Sequence, residues 1–213
     1  MTYDEIKKNK EVCECLKKGN ENLGVLGFTD HSAAHCTMVA KRAAYILKKF
    51  GYSESDIEMV KIAGYMHDNG NVVNRNRHTK YDAILKETDM RLKDRITVVS
   101  AIGHHDESTG GATDPISAAL IIADKTDVRR NRVRNKAKEN FDIHDRVNYA
   151  VTDAALKINM DKKVIALNLQ IDTKICSMYE YFEIFLGRMM MCRGAAEVLG
   201  ATFKLTANGS KVL

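Results

Sequence analysis

In the run Ile57-Glu-Met-Val60-Lys-Ile-Ala-Gly64-Tyr-Met-His67-Asp68-Asn-Gly70, the residues Ile57, Val60, Gly64 and His67 recur at three- and four-residue steps. That spacing predicts one face of an α-helix. Ser53, with Asp56 three residues later, opens it in the manner of a capping box. Gly70 closes it just past Asp68. His67 therefore shares the apolar face, and Asp68 stands beside it at the helix end. A carboxylate taken out of water is costly unless it is paired or bound to a cation. Adjacent nitrogen and oxygen donors at the end of a buried helix are thus candidate metal ligands.

Working outward, the same association recurs. Thr29-Asp30 predicts the start of a helix from about His31 to Phe50, stopped by Gly51. His35, Val39, Ala43, Ile46 and Phe50 form its apolar stripe, and His31 lies one turn before His35 on the same face. On the other side, a polar loop from Asn69 to Arg77 leads into a helical stretch beginning near His78. The pattern Ile96, Val99, Ile102 predicts a helix between Met90 and His104 that ends on His104-His105. A loop rich in Gly and Ser, Asp106 to Thr113, precedes Asp114-Pro115, an N-cap and first-turn pair. The helix it opens carries Ser117, Ile121, Asp124 and Val128 on one side, and Asp124 ends the apolar run that begins at Ala119.

Six of the seven histidines fall between residues 31 and 105. A lone helical histidine is usually an ordinary hydrogen-bonded residue. The order His, His-Asp, His-His, Asp is different, because one cation would offset the burial cost of several members at once. Imidazole with carboxylate suits divalent iron, manganese, zinc or nickel.

The remainder of the chain frames this helical body. A first helix is expected from Tyr3 to Lys18. After Val147 the character changes: Val151 to Asn159 and Val164 to Ile171 read as strands joined by a turn at Met160 to Lys163. A long helix, Thr173 to Leu199, and a third strand, Thr202 to Thr206, complete the chain. The fold class expected is mainly α: a helical bundle over residues 1–147 with a small C-terminal α/β extension over 148–213. In that extension Met189, Met190 and Met191, with Tyr179, Tyr181, Phe182 and Phe185, form a stripe that serves either as core or as a homodimer contact.

Composition narrows the class further. With 45% hydrophobic and 29% charged residues the chain is an ordinary globular one, not a disordered one. Its longest apolar run, Ala118 to Ala123, is far short of the ~20 residues that span a bilayer, and the first twenty residues lack the apolar core of a signal peptide. Five scattered cysteines fit reduced thiols, and so a cytoplasmic protein. Cys13 and Cys15 have no second pair at zinc-knuckle spacing. The net charge is +5, much of it in Lys125, Arg129, Arg130, Arg132, Arg134 and Lys136. Such a run is either a solvated helix face or an attractor of phosphate, on a small ligand or on nucleic acid.

The motifs stand as His35-Cys-Thr-Met-Val-Ala, Ala63-Gly-Tyr-Met-His67-Asp68-Asn-Gly, Ala101-Ile-Gly-His104-His105-Asp-Glu and Leu120-Ile-Ile-Ala-Asp124-Lys. On these residues the segment from roughly 25 to 135 resembles the HD superfamily of metal-dependent phosphohydrolases. The resemblance implies that His35, His67, Asp68 and Asp124 hold one metal. Members with two metals add further histidines, and His78, His104 and His105 fall where those ligands would come. It therefore implies a mono- or dinuclear centre, with two divalent transition-metal ions per chain expected and Asp68 as bridging and catalytic carboxylate. The implied reaction is hydrolysis of a small phosphate ester or nucleotide by a metal-activated hydroxide. His31, Lys125, Arg129 and Arg130 are candidates for substrate contact, and His144 lies outside the motif run.

One departure is clear. Many members continue the motif as His-Asp-Ile-Gly-Lys, whereas this chain has His67-Asp68-Asn69-Gly70-Asn71. Any phosphate-binding duty of that lysine must pass to another cation, with Arg75, Arg77, Lys80, Lys125, Arg129 and Arg130 nearby in sequence. Two other functions stay open: a di-iron oxygenase of HD type, and a non-catalytic regulator that binds nucleotide or nucleic acid. Hydrolysis of cyclic dinucleotides is disfavoured, because the Gly-Tyr-Pro run that accompanies it in relatives is absent.

Overall fold

The computed structural model describes all residues apart from 74–80, 108–109, 136 and 138–140, together with the side chains of 81–83. The architecture is a mainly helical body with a small C-terminal α/β extension.

Helix α1 (Tyr3–Lys8) is opened by a reciprocal capping box between Thr2 and Glu5. It stops at Asn9, whose extended backbone breaks the expected single helix and whose side chain accepts from Val12 N to start α2 (Lys10–Val25). The N-terminal helix is therefore two, and the second runs through Gly19 instead of ending there. Helix α3 (Ala33–Lys49) begins later than the expected His31, because Ser32 is its N-cap. Helix α4 (Glu54–Met66) opens on the Ser53–Asp56 box and ends at His67. Its continuation is a 3-10 turn over Asn69–Val72, packed against α2.

Beyond the undescribed stretch come α5 (Tyr81–Lys86) and α6 (Leu92–Gly103). Helix α7 (Pro115–Lys125), capped by Asp114, is buried from Ile116 through Ala123. It is the centre of the body, contacted by α3, α4, α6 and α9. A helix apolar on every side fits only such a place. Asp124 and Lys125 are thereby carried out of the core at its end.

The close packing of α3 on α4 depends on Gly64. A Cβ there would lie 2.7 Å from Ala40 Cα and 2.9 Å from Ala40 N, so no larger residue fits without separating the helices. That approach sets His35 and His67 side by side.

The extension starts with a short helix the sequence pattern did not suggest, α8 (Ile143–Ala150), capped by Asp142. Strands β1 (Val151–Asn159) and β2 (Val164–Ile171) form the expected antiparallel hairpin. Helix α9 (Met178–Val198) crosses back so that β3 (Thr202–Ala207) pairs parallel with β2, Val164 opposite Thr202 and Leu169 opposite Ala207. Parallel pairing needs such a crossover. A two-residue β4 (Ser210–Lys211) completes the sheet in the order β1-β2-β3-β4. Helix α9 packs on β3 on one side and on α7 on the other. The apolar core is consequently continuous, from Ile6 in α1 to Ala207 in β3.

Candidate metal centre

Four donor groups converge where α3, α4 and α7 meet. His35 Nε2 lies 3.3 Å from Asp124 Oδ1 and 3.6 Å from Asp68 Oδ2. His67 Nε2 lies 3.2 Å from Asp68 Oδ2 and 3.7 Å from Asp124 Oδ1. Ligand atoms roughly 2.1 Å from a shared ion at tetrahedral or octahedral angles stand about 3.0–3.4 Å apart, so these separations suit one centre. His35, His67 and Asp124 form a group able to hold a metal ion.

The hydrogen bonds orient the donors toward that point. His35 Nδ1–H donates to Asp127 Oδ2 at 2.7 Å, and His67 Nδ1–H donates to the Gly64 carbonyl at 2.8 Å. Each tether turns Nε2 inward, as ligating histidines are held. Asn71 Nδ2 donates to Asp68 Oδ1 at 2.8 Å, fixing that carboxylate from the turn after α4. His35 Nε2 and Asp68 Oδ2 are buried and have no hydrogen-bond partner among the described residues. Buried polar atoms left in that condition are costly, and a cation between them removes the cost. The residues fit a divalent metal.

Electrostatics favour positive charge at this point. Burial opposes protonation of His67, but the Asp68 and Asp124 carboxylates outweigh it and lift the imidazole to about 9. Burial also works against the charge on Asp68 and Asp124. For Asp68 the neighbouring histidines, His67 foremost, more than compensate; for Asp124, Lys125 does so first and the histidines second. Both stay ionised well below the usual carboxylate range. His31 and His105 go the other way, to about 3, chiefly through burial. They stand as neutral rings.

The centre opens into a cavity of about 410 Å³ lined by Asp68, His105, Asp124 and Lys125, by His31, Asn71, Glu107 and Arg132, and by groups of the extension including His144 and Arg188. His105 is buried, with Nδ1–H donating to the Ile102 carbonyl and its ring edge-on to His67 at 5.1 Å. His104, by contrast, caps α6, bonds the Ser100 carbonyl and is not among the lining residues. His78 lies outside the described residues, as do Arg75, Arg77 and Lys80.

His31 is not on the α3 face. It precedes the helix, with its amide on Asn20 Oδ1 and its Nδ1–H on the Thr29 carbonyl, yet its ring still reaches within 5.6 Å of His35. Arg129 and Arg130 are placed away from the cavity. Arg129 turns back onto Asp127, and Arg130 bonds the Tyr149 carbonyl and lies over that ring at 4.4 Å. Arg132 faces the cavity, with its N–H groups on the Asp30 and Asp127 carbonyls.

Two residues went unread in the sequence. Asp127, buried three positions after Asp124, orients His35. Its only advance signal was a second carboxylate at the end of an apolar helix. Cys36 is buried beside His67 and Asp68, with its ligand atom within 4.8 Å of theirs; nothing in the spacing pointed to it.

Residues 33–132 match the HD domain. The chain is 32% identical to an uncharacterized protein of Methanocaldococcus jannaschii, the alignment covering 68% of this chain and 66% of that one. It is 28% identical to ribonuclease Y of Enterococcus faecalis and 30% identical to ribonuclease Y of Latilactobacillus sakei, over 50% and 52% of this chain and 20% of each relative. The chain thus spans about two thirds of the archaeal relative's length and a fifth of either ribonuclease. No solved structure matches it significantly, and no helix among the described residues is long and apolar enough to cross a membrane. With His67-Asp68 at the centre of a converging donor set inside the matched segment, the chain carries an HD domain over residues 33–132.

Proposed function

We propose that the protein is a metal-dependent phosphohydrolase acting on a small phosphate ester or nucleotide. The observation that carries this reading is the meeting of His35, His67, Asp68 and Asp124 beside a cavity that Asp68 and Asp124 line together with Lys125, Arg132 and Arg188. A cation-holding group with three cationic side chains around the same cavity suits an anionic ester. The two ribonuclease relatives act, by their name, on RNA, and what carries over is the bond class, a phosphate ester.

His35, His67, Asp68 and Asp124 hold the ion, with His105 available beside His67 and His78 unassigned. When bound, a divalent ion lowers the pKa of a water and polarises a phosphoryl oxygen. Asp68 keeps Oδ1 on Asn71 and turns Oδ2 inward, where it would hold the ion and orient the water beside it. Lys125 and the other cations offset charge that builds on phosphoryl oxygens during attack. Neutral His31, at the wall, contacts substrate without adding charge.

Protein purified without chelator should contain at least one divalent ion per chain and release phosphate from members of a panel of nucleotides and sugar phosphates. Asp68→Ala should lose both the ion and the activity. Wild-type rates from metal-free Asp68→Ala protein end the proposal; oxygen uptake dependent on an organic substrate would transfer it to the oxygenase reading.

A further inference from the structure

One wall of the cavity comes from beyond residues 33–132. Asp142, His144 and Asn148 contribute from α8 and its cap, and Arg188 from α9. Helix α9 packs on α7, the helix that carries Asp124, so Arg188 is referenced to the metal ligands by a buried helix contact. Its guanidinium lies over the Phe185 ring at 4.5 Å and its Nε meets Glu107 Oε1 at 2.9 Å. Lys125 Nζ reaches that same oxygen at 3.3 Å and donates to Asp124 Oδ2 at 2.8 Å. Two cations distant in sequence therefore converge on one loop carboxylate next to the centre.

Other cations are committed. Arg132 spends its N–H groups on the carbonyls of Asp30 and Asp127. The position where relatives carry lysine is Asn71, whose amide serves Asp68. Among the described residues no hydrogen bond engages the terminal nitrogens of Arg188, its guanidinium is stacked on Phe185, and a guanidinium matches phosphate in a two-pronged geometry. Glu107 is exposed and is the group a stronger anion would replace. Moving it aside releases Arg188 and leaves Lys125 shared with Asp124 alone, a gain of positive charge that a phosphate monoester dianion compensates more fully than a singly charged diester.

We propose that Arg188 and Lys125 form a clamp for the dianionic phosphate of a monoester, which displaces Glu107 and makes the C-terminal extension part of the substrate site. This rests on the phosphohydrolase reading.

The test is calorimetric titration of the metal-loaded full-length chain with inorganic phosphate, with metal content measured on the same samples. Arg188→Ala should weaken phosphate binding at least tenfold, Arg188→Lys should recover part of the loss, and Glu107→Gln should tighten binding. Arg193→Ala, an exposed cation on the same helix, should stay within twofold of wild type. The clamp is overturned if wild type binds no phosphate, if Arg188→Ala binds like wild type, or if Arg193→Ala loses as much. Dimethyl phosphate competing as well as methyl phosphate overturns the monoester assignment. A chain that takes up no divalent ion yet binds phosphate through Arg188 removes the hydrolase reading and keeps the clamp. A chain that holds the ion while its phosphate affinity ignores position 188 does the reverse.

Discussion

His35 and Asp127 are both buried, and the 2.7 Å bond from His35 Nδ1–H to Asp127 Oδ2 ties α3 to the residue two positions past the end of α7. Asp127 is itself held by Arg129 and by nearby Arg132. The bond fixes the plane of the His35 ring and turns Nε2 toward the candidate metal site. Outer partners of this kind are worth about 10–100-fold in metal affinity. Asp127→Asn, which keeps the shape and loses the charge, should weaken metal binding by a factor of that order in competition with a chelator. Unchanged affinity would show that the ring is held by packing alone.

The α3–α4 contact makes a prediction of opposite sign at two glycines. Gly64→Ala puts a methyl against the Ala40 backbone, which cannot withdraw as a flexible side chain could. Overpacking of this type costs ~1–3 kcal/mol, and it pushes His67 away from His35. Gly187, within α9, has nothing within 4 Å of an added Cβ. There alanine should stabilise by roughly 0.5–1 kcal/mol through helix propensity. Urea midpoints of the two variants should move in opposite directions, and a stabilised Gly64→Ala protein would refute the close approach.

Much of this was legible along the chain. The β1–β2 hairpin was expected at its observed limits, since alternating residues and a polar turn are local signals. The Ser53–Asp56 and Asp114–Ser117 caps were equally local. The converging donors were legible because an apolar period marks His35, His67 and Asp124 as inward-facing, whatever partners them. Competition between neighbouring caps was harder to read: Ser32 outcompetes Asp30 for α3, and Asn9 splits the first helix. Helix α8 escaped because its eight residues supply too little apolar period. Nothing in sequence spacing could join Glu107 to Arg188, because the crossover between β2 and β3 alone brings α9 against α7. The basic run misled for a related reason. Its arginines look alike in sequence, yet folding spends Arg129 and Arg130 on Asp127 and Tyr149 and turns Arg132 to the cavity.

Thiol chemistry offers an independent reading of the packing. None of the five cysteines is in a disulfide; Cys13 and Cys15 are partly exposed, whereas Cys36, Cys176 and Cys192 are buried. Burial raises the Cys36 thiol well above its usual range and lifts Cys192 to about 12. Since the thiolate is the reactive form, a disulfide reagent at neutral pH should titrate Cys13 and Cys15 quickly in the native protein. The remaining three should react only on unfolding, and fast labelling of Cys192 would mean that α9 does not stay packed on α7.

Ion binding should also be visible as stability, without any substrate. In the metal-free protein Asp68 and Asp124 stand ionised and buried within 4 Å of two imidazoles, their charge offset by His67 foremost for Asp68 and by Lys125 foremost for Asp124. A cation that binds this folded arrangement and not the unfolded chain stabilises by about 2.7 kcal/mol when present at 100 times its dissociation constant. For a chain of this size that corresponds to a rise in melting temperature of roughly 5–10 °C. Chelator should reverse the rise in wild type. Asp68→Ala removes an inward-facing oxygen and should show little response to the ion, whereas His104→Ala, outside the cavity, should respond like wild type. Equal stabilisation of the Asp68→Ala protein would place the ion somewhere other than between α3, α4 and α7.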